Sequence, residues 1–493
     1  MLLFELIHSL STEDYEKFKS YVRRKNKRSD TKNLALLKLL RQSELPTNID
    51  HVLYGKPSKN AYHALCKRLH DTIIDFIASR SLETETTEEF EVLKLILTSR
   101  ILYEQGINKA AQKTLQKATI LAKAHDLYSM LNEIYHTQIQ YAHLHSEIEL
   151  SSLIKDFQIN QKLHQHQENL NLAYAYIKDR ISQTNSTVTE NVTQLLTDAF
   201  QKFNIVINAS LTFKSLYQLL EIINTVARLE NNYVDALPFF EKVYHEITSK
   251  KALSNKHLYY HIHLVYFMAN AYFRNRQFER ATKYLDLMKE RMLAERGKYE
   301  LRFRESELLL RTLILNYTGN SLVAIDLLTS HFEIAKRKNK TQNPDLILVL
   351  CICLIQQEQY KQTLSALNTL KHSSAWYITK MGEDWMIKHD LIQLITHIEL
   401  ENIDLVASLL KRFKRKYKHV IKHESRLRDF LKTLETIYTY PEEIKGIRFR
   451  ESVKRLFTSE NKAKEDIFMV SYFAWVYSKT INKPLYQTTL ELL

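Results

Sequence analysis

Glycine is scarce in this chain: six residues in 493, at Gly55, Gly106, Gly297, Gly319, Gly382 and Gly446, with no two of them close neighbours. A dinucleotide-binding turn, a phosphate-binding loop and a nucleophile elbow each need two or more glycines within a few residues, because the backbone must turn sharply or lie against a phosphate. All three are excluded. Proline is as rare, also six, so tight turns are few, whereas the strong helix formers Leu, Lys, Glu, Gln and Ala are plentiful. The three cysteines, Cys66, Cys351 and Cys353, give no disulfide framework. A single C-x-C without partner cysteines or a nearby histidine pair is poor zinc spacing, and all three read as reduced core thiols. The longest apolar runs, Leu346 to Ile355 and Ile467 to Tyr477, fall short of the roughly 18 residues that a membrane crossing needs. Met1-Leu2-Leu3-Phe4-Glu5 has no basic region ahead of an apolar one, which speaks against a secretory leader. The expectation is a cytoplasmic protein with no membrane partner.

What is present is the balance of an ordinary folded protein, 45% apolar and 26% charged, enough to bury a substantial core. Seventy basic residues against 56 acidic ones give +14, which permits acidic partners but is modest over such a length. The distribution of that charge matters more than its total.

An internal repeat organises most of the chain. Its unit opens the second helix with an aromatic, has a small residue three positions later, then bulky apolar residues four and seven beyond that, a spacing that lines one helical face. Tyr233, Ala236, Phe240 and Val243 fit it, as do Phe278, Ala281, Leu285 and Met288, with Tyr272 on the preceding helix. Gly106, Ala111, Leu115 and Ala118 form an earlier copy, and Gly319, Ala324 and Leu328 a later one. Tyr360, Thr363, Leu367 and Leu370 continue the series, followed by Ile403, Val406, Leu410 and Phe413. Two weaker copies lie near Leu150, Ile154 and Phe157 and near Leu196, Phe200 and Phe203, the latter anchored at about position 194. The anchors recur every ~42 residues, longer than the common helical-hairpin repeat. Each hairpin leaves one apolar face bare, so the units must stack.

The expected fold is therefore all-α: a right-handed α-solenoid of about eight tetratricopeptide-like hairpins over 86–428. A helical segment over 1–85 precedes it and a helical cap over 429–493 follows. In the first segment Ser11 and Asp14 bracket a helix start, Thr31 opens a helix carrying Leu34, Leu36, Leu37 and Leu40, and Tyr62, Leu65, Leu69, Ile73 and Phe76 stripe a third. Asn343-Pro344 and Thr439-Tyr440-Pro441 mark helix starts, and Pro238, inside a repeat helix, is expected to kink it.

The array resembles the tetratricopeptide class, which implies a scaffold for proteins or peptides. Four segments, Phe4 to Ser11, Lys380 to Trp385, Ile398 to Asp404 and Phe473-Ala474-Trp475, also resemble an uncharacterised family of bacterial helical-repeat proteins, a resemblance that implies no activity.

Two surfaces are candidates for function. The hairpin carrying Tyr259, Tyr260, Tyr266, Phe267, Tyr272 and Phe273 is rich in aromatics. Tyr266, Asn270, Tyr272, Arg274 and Asn275 are the residues expected to line a binding groove, because Tyr and Arg are enriched at interaction hot spots. Against this stands ordinary packing, which recruits most aromatics. The second candidate is the run Lys411 to His419, continued by Lys422, His423, Arg426 and Arg428 with no acid before Glu424. Leu410, Phe413, Tyr417, Val420 and Ile421 would share one helical face, leaving Lys411, Lys414, Arg415, Lys418 and Lys422 outward. Such a face can neutralise phosphates or meet an acidic protein, although charge runs are most often simply solvated. A shorter run, Arg23 to Arg28, sits where it would favour a helix C-terminus. His257 and His261 share a helical face, but they lack a third ligand and a nearby glutamate, and read as structural. No metal, cofactor or small-molecule substrate is implied.

The reading that follows is a non-catalytic interaction scaffold holding a protein or peptide in its groove. The alternative is a nucleic-acid-associated regulator using the basic helix and the N-terminal helices. An enzyme ranks last, since no nucleophile, acid pair or cofactor motif stands out.

Overall fold

The computed structural model describes residues 2–10, 12–25, 32–42, 48–84, 88–145, 147–183, 192–205, 213–229, 232–249, 257–337, 342–457 and 467–493. Among these residues all regular structure is helical: twenty-six α-helices with short 3-10 turns and no strand. The chain divides into two compact units, Met1–Gln161 and Lys162–Leu493.

In the first unit, helices Leu2–Ser9, Thr12–Lys25, Lys32–Leu40, Ile49–Tyr54 and Lys59–Thr84 enclose a core of Ile7, Phe18, Leu36, Leu37, Leu40, Leu69 and Ile73. The Leu65, Leu69, Ile73 and Phe76 stripe is buried, as its spacing demands. Ser11 and Thr31, the expected helix openers, lie outside the described residues, as do Asn26, Lys27 and Arg28 of the first basic run. A second core, with Val92, Ile96, Ala111, Leu115, Ala118 and Ile134, joins Glu88–Glu104, Asn108–Ala124 and Tyr128–Tyr141.

The second unit is a succession of hairpins: Phe213–Leu229 with Tyr233–Ser249, Leu258–Arg274 with Phe278–Gly297, Glu300–Tyr317 with Ser321–Arg337, Pro344–Gln356 with Tyr360–Leu367, and Glu383–Glu399 with Ile403–Lys416. The small anchors Ala236, Ala281, Ala324 and Thr363 are wholly buried, because larger side chains there would push the paired helices apart.

The turn inside the hairpins is itself a repeat. Gly106, Arg276, Gly319, Glu358 and Glu401 all have positive φ, and each lies five residues ahead of its buried anchor, Ala111, Ala281, Ala324, Thr363 and Val406. The N–H after each left-handed residue donates back to the closing helix: Ile107 to Leu102 O at 2.9 Å, Gln277 to Tyr272 O at 2.9 Å, Asn320 to Leu315 O at 2.9 Å, Gln359 to Leu354 O at 2.8 Å and Asn402 to His397 O at 3.0 Å. This is the helix-ending turn that glycine normally serves. Only two of the five positions hold glycine, so the recurrence is largely invisible to a search for turn residues.

Several expectations are corrected in detail. Residues 150 to 183 form one helix, Leu150–Gln183, on which Leu150 and Ile154 are exposed and Phe157 only half-buried, so the weak copy there is out of register. Near Leu196 the buried small residue is Ala199 rather than position 194. Pro238 lies inside its helix, Tyr233–Ser249, as expected. An additional helix, Ser374–Met381, capped by the Ser373 hydroxyl accepting from Trp376 N at 3.3 Å, precedes Glu383–Glu399. The expected single basic helix is two, Ile403–Lys416 and Lys418–His423, separated at Tyr417.

Candidate functional site

The first helices of the first two second-unit hairpins each carry a half-buried strip. On Phe213–Leu229 it comprises Lys214, Tyr217, Gln218, Glu221 and Asn224; on Leu258–Arg274 it comprises Tyr259, His263, Tyr266, Asn270 and Arg274. The three-to-four-residue spacing places each set on one helical face. The strips meet: Tyr217 lies against Tyr260 and His263, with ring centroids 5.5 and 5.1 Å apart, and Asn270 Nδ2 donates to Asn224 Oδ1 at 3.3 Å. On the other side Gln218 Nε2 donates to Asn171 Oδ1 at 2.6 Å, beside Tyr174, which stacks under Lys178. Burial pushes the Tyr266 hydroxyl up to about 12 and depresses His263 to about 4, so both stay neutral near pH 7. Burial also raises Glu221 above the ordinary carboxylate range, against the pull of Lys178.

Of the five groove residues expected from sequence, Tyr266, Asn270 and Arg274 are together on this face. Tyr272 is not: it is buried, donates to Glu241 Oε1 at 2.8 Å and stacks on Tyr284, so it packs between second helices of successive hairpins. Asn275 holds the turn, donating to Tyr233 O at 2.9 Å and Ala271 O at 2.8 Å. Nothing in the sequence marks Tyr217, Gln218, Glu221 and Asn224, because their meaning depends on which side of the helix the next hairpin covers.

Beyond Arg274 the corresponding face is closed by the chain itself. Every residue of the first apolar run, Leu346 to Ile355, is buried, as is Gln356 after it, although the first helix of a hairpin packed on one side would leave a stripe exposed. The cover is the second apolar run, on Ile467–Ile481, together with Leu485–Leu492. Gln356 Nε2 donates to Ser471 Oγ at 2.8 Å, Tyr317 OH lies 3.0 Å from the same hydroxyl, and Asn316 Nδ2 donates to Gln356 Oε1 at 2.8 Å, a connected buried polar chain. Trp475, wholly buried, donates Nε1–H to Glu399 Oε1 at 2.6 Å, and Lys479 pairs with the same carboxylate. Arg274 and Lys388 sit 5.5 and 4.8 Å from the centre of the Phe468 ring. Arg276 donates to Leu493 O at 3.0 Å, and Glu358 accepts from Leu485 N at 3.2 Å.

The basic run forms a separate surface. Phe413 and Tyr417 are buried, and Tyr417 OH donates to Asp390 Oδ2 at 2.8 Å, which also holds Lys416 Nζ at 3.1 Å. Burial works against the Asp390 charge, but the bonds from His389 and Tyr417 and the charge of Lys416 hold its pKa below the ordinary value. Lys414 pairs with Glu435 at 2.7 Å and His419 with Glu383 at 2.9 Å.

The histidines serve packing. His257 stacks on Phe213 with centroids 4.6 Å apart, His261 is buried, and His263 meets Phe303 edge-on at 4.6 Å. Among the described residues no three His, Cys, Asp or Glu side chains gather as metal ligands, and no helix is long and apolar enough to cross a membrane. No family model matches the chain, and neither the curated proteins nor the solved structures contain a match to it. Function must therefore be read from these surfaces alone.

Proposed function

We propose that the chain is a non-catalytic scaffold that binds a protein or peptide segment along the strip running from Asn171 and Tyr174 through Tyr217, Gln218 and Asn224 to Tyr266 and Asn270. The supporting observation is the Asn224–Asn270 pair. Asn224 Oδ1 accepts from Asn270 Nδ2 and from Tyr233 OH, at 3.3 and 3.2 Å. Among the described residues that leaves the Asn224 NH2 and the Asn270 Oδ1 without a partner. One donor and one acceptor side by side match the C=O and N–H of a peptide backbone, and the flanking tyrosines offer rigid contact area at low entropic cost.

The finer architecture, a right-handed solenoid of about eight tetratricopeptide-like hairpins working in the cytoplasm, belongs to the same proposal. The recurrence of hairpins in it is supported by the five-residue offset between turn and anchor at Gly106, Arg276, Gly319, Glu358 and Glu401. The non-catalytic part rests on a sequence that displays no nucleophile, acid pair or phosphate loop.

The test is capture of partners from nuclease-treated extract of the native cell by wild type and by Asn224→Ala/Asn270→Ala, with thermal melting of both. The expected result is bands that wild type retains and the variant loses at an unchanged melting temperature. Identical capture by both proteins would refute the assignment of the face.

A further inference from the structure

Lys411, Arg412, Arg415, Lys418 and Lys422 are all exposed, and among the described residues none has a carboxylate within ion-pair distance. Their neighbours behave otherwise. No Asp or Glu occurs between Asp404 and Glu424; the carboxylates that reach this stretch from other helices, Glu435, Asp390 and Glu383, are taken by Lys414, Lys416 and His419 and by none of the five. The underside is fixed. Leu410, Phe413 and Tyr417 are buried and Val420 and Ile421 pack against the same core, so the helices Ile403–Lys416 and Lys418–His423 are both anchored by packing and present their cations without a cost of ordering the backbone.

We infer that this face is a binding site for the phosphate backbone of double-stranded nucleic acid, recognised without regard to sequence. Charge complementarity identifies a polyanion. The larger rings decide which kind: Phe413 and Tyr417, the Phe and Tyr of the run, are 2% and 0% exposed, so neither is a platform for unstacked bases, and the exposed His419 ring is bonded to Glu383. Single-strand binders draw much of their affinity from such stacking, whereas a duplex keeps its bases stacked and presents only phosphate to a cationic helix face. The site is independent of the peptide-binding strip proposed above.

The experiment is fluorescence anisotropy of the full chain with a 20-base-pair duplex DNA and with the corresponding single strand, titrated between 50 and 200 mM salt. If all five cations neutralise a phosphate, the slope of log affinity against log salt should be about −4.5, at about −0.9 per phosphate. That is a loss of roughly 500-fold across the range. Duplex should bind more tightly than single strand. Reversing Lys411, Arg412, Arg415, Lys418 and Lys422 to Glu should abolish binding at an unchanged melting temperature. Reversing the scattered exposed residues Lys109, Lys113, Lys242, Lys283 and Lys289, an equal change of net charge, should leave most of it. Should the Glu variant misfold, the Gln series at the same five positions carries the same expectation. No binding at 50 mM salt, equal loss in the two reversed variants, tighter binding of the single strand, or tighter binding of a poly-glutamate peptide or of phosphatidylserine vesicles than of duplex would each overturn the inference.

Discussion

Glu401 holds a left-handed backbone conformation, φ 56°, at a hairpin turn where the equivalent residue in another hairpin, Gly319, pays no steric cost. A non-glycine residue there is disfavoured by about 1–2 kcal/mol. Glu401→Gly should therefore raise stability by about 1 kcal/mol in urea denaturation, and Gly319→Ala should lower it by about 1 kcal/mol. The same replacement at Arg276 or Glu358 should gain less or nothing. Those side chains hold Leu493 O and Leu485 N of the covering helices, so the backbone gain is offset by lost tertiary bonds. At Ala281 the space is closed by the paired helix, and Ala281→Trp should cost about 1–3 kcal/mol or more; an unchanged melting temperature would contradict this repeat register. Burial, with a smaller contribution from Arg291, lowers the pKa of His261 from the ordinary 6.5 to about 4. The unfolded chain then takes up the proton first as pH falls. Stability should be constant above pH 6.5, decline between 6.5 and 4, and level off below, by roughly 3 kcal/mol from this residue. His261→Leu should flatten that part of the profile in urea midpoints measured across the window.

The helix Ile467–Ile481 is largely apolar and buried over most of its length, which makes it part of the core of the second unit rather than an appendage to it. Trp475→Ala, removing a wholly buried side chain and its bond to Glu399, should cost about 3–5 kcal/mol and lower the melting temperature of the whole second unit in a single transition. A separate early transition confined to this helix would show that it is only loosely attached. The elements themselves are legible in the sequence: the 3.6-residue spacing locates the second helices of the hairpins, and Asn343-Pro344 does open Pro344–Gln356, with Asn343 Oδ1 accepting from Asp345 N at 2.9 Å. The pairing of elements is less so. The two longest apolar runs announce helices buried all round, but neither names the other as its cover, because non-directional burial carries no address. For the same reason Tyr272 and Tyr266, six residues apart on one helix, look alike in sequence and lie on different faces. The bond from Tyr417 to Asp390, a residue of the preceding helix, is hidden too.

On the scale of the molecule, self-coverage divides the faces of the first helices. Those from Pro344 onward are sealed by the chain's own helices, and those around Asn224 and Asn270 are only half-buried, the face proposed above for a partner. The measurement that tests this division most directly is photo-crosslinking in the native cell, with a benzoylphenylalanine placed at Gln218 on the open strip and, as a control, at Lys289 on the exposed side of a second helix. A partner on the open strip predicts a discrete protein adduct from position 218 that disappears when Asn224 and Asn270 are changed to Ala, and none of the same mass from position 289. Indistinguishable adducts from both positions, or none from 218, would contradict it.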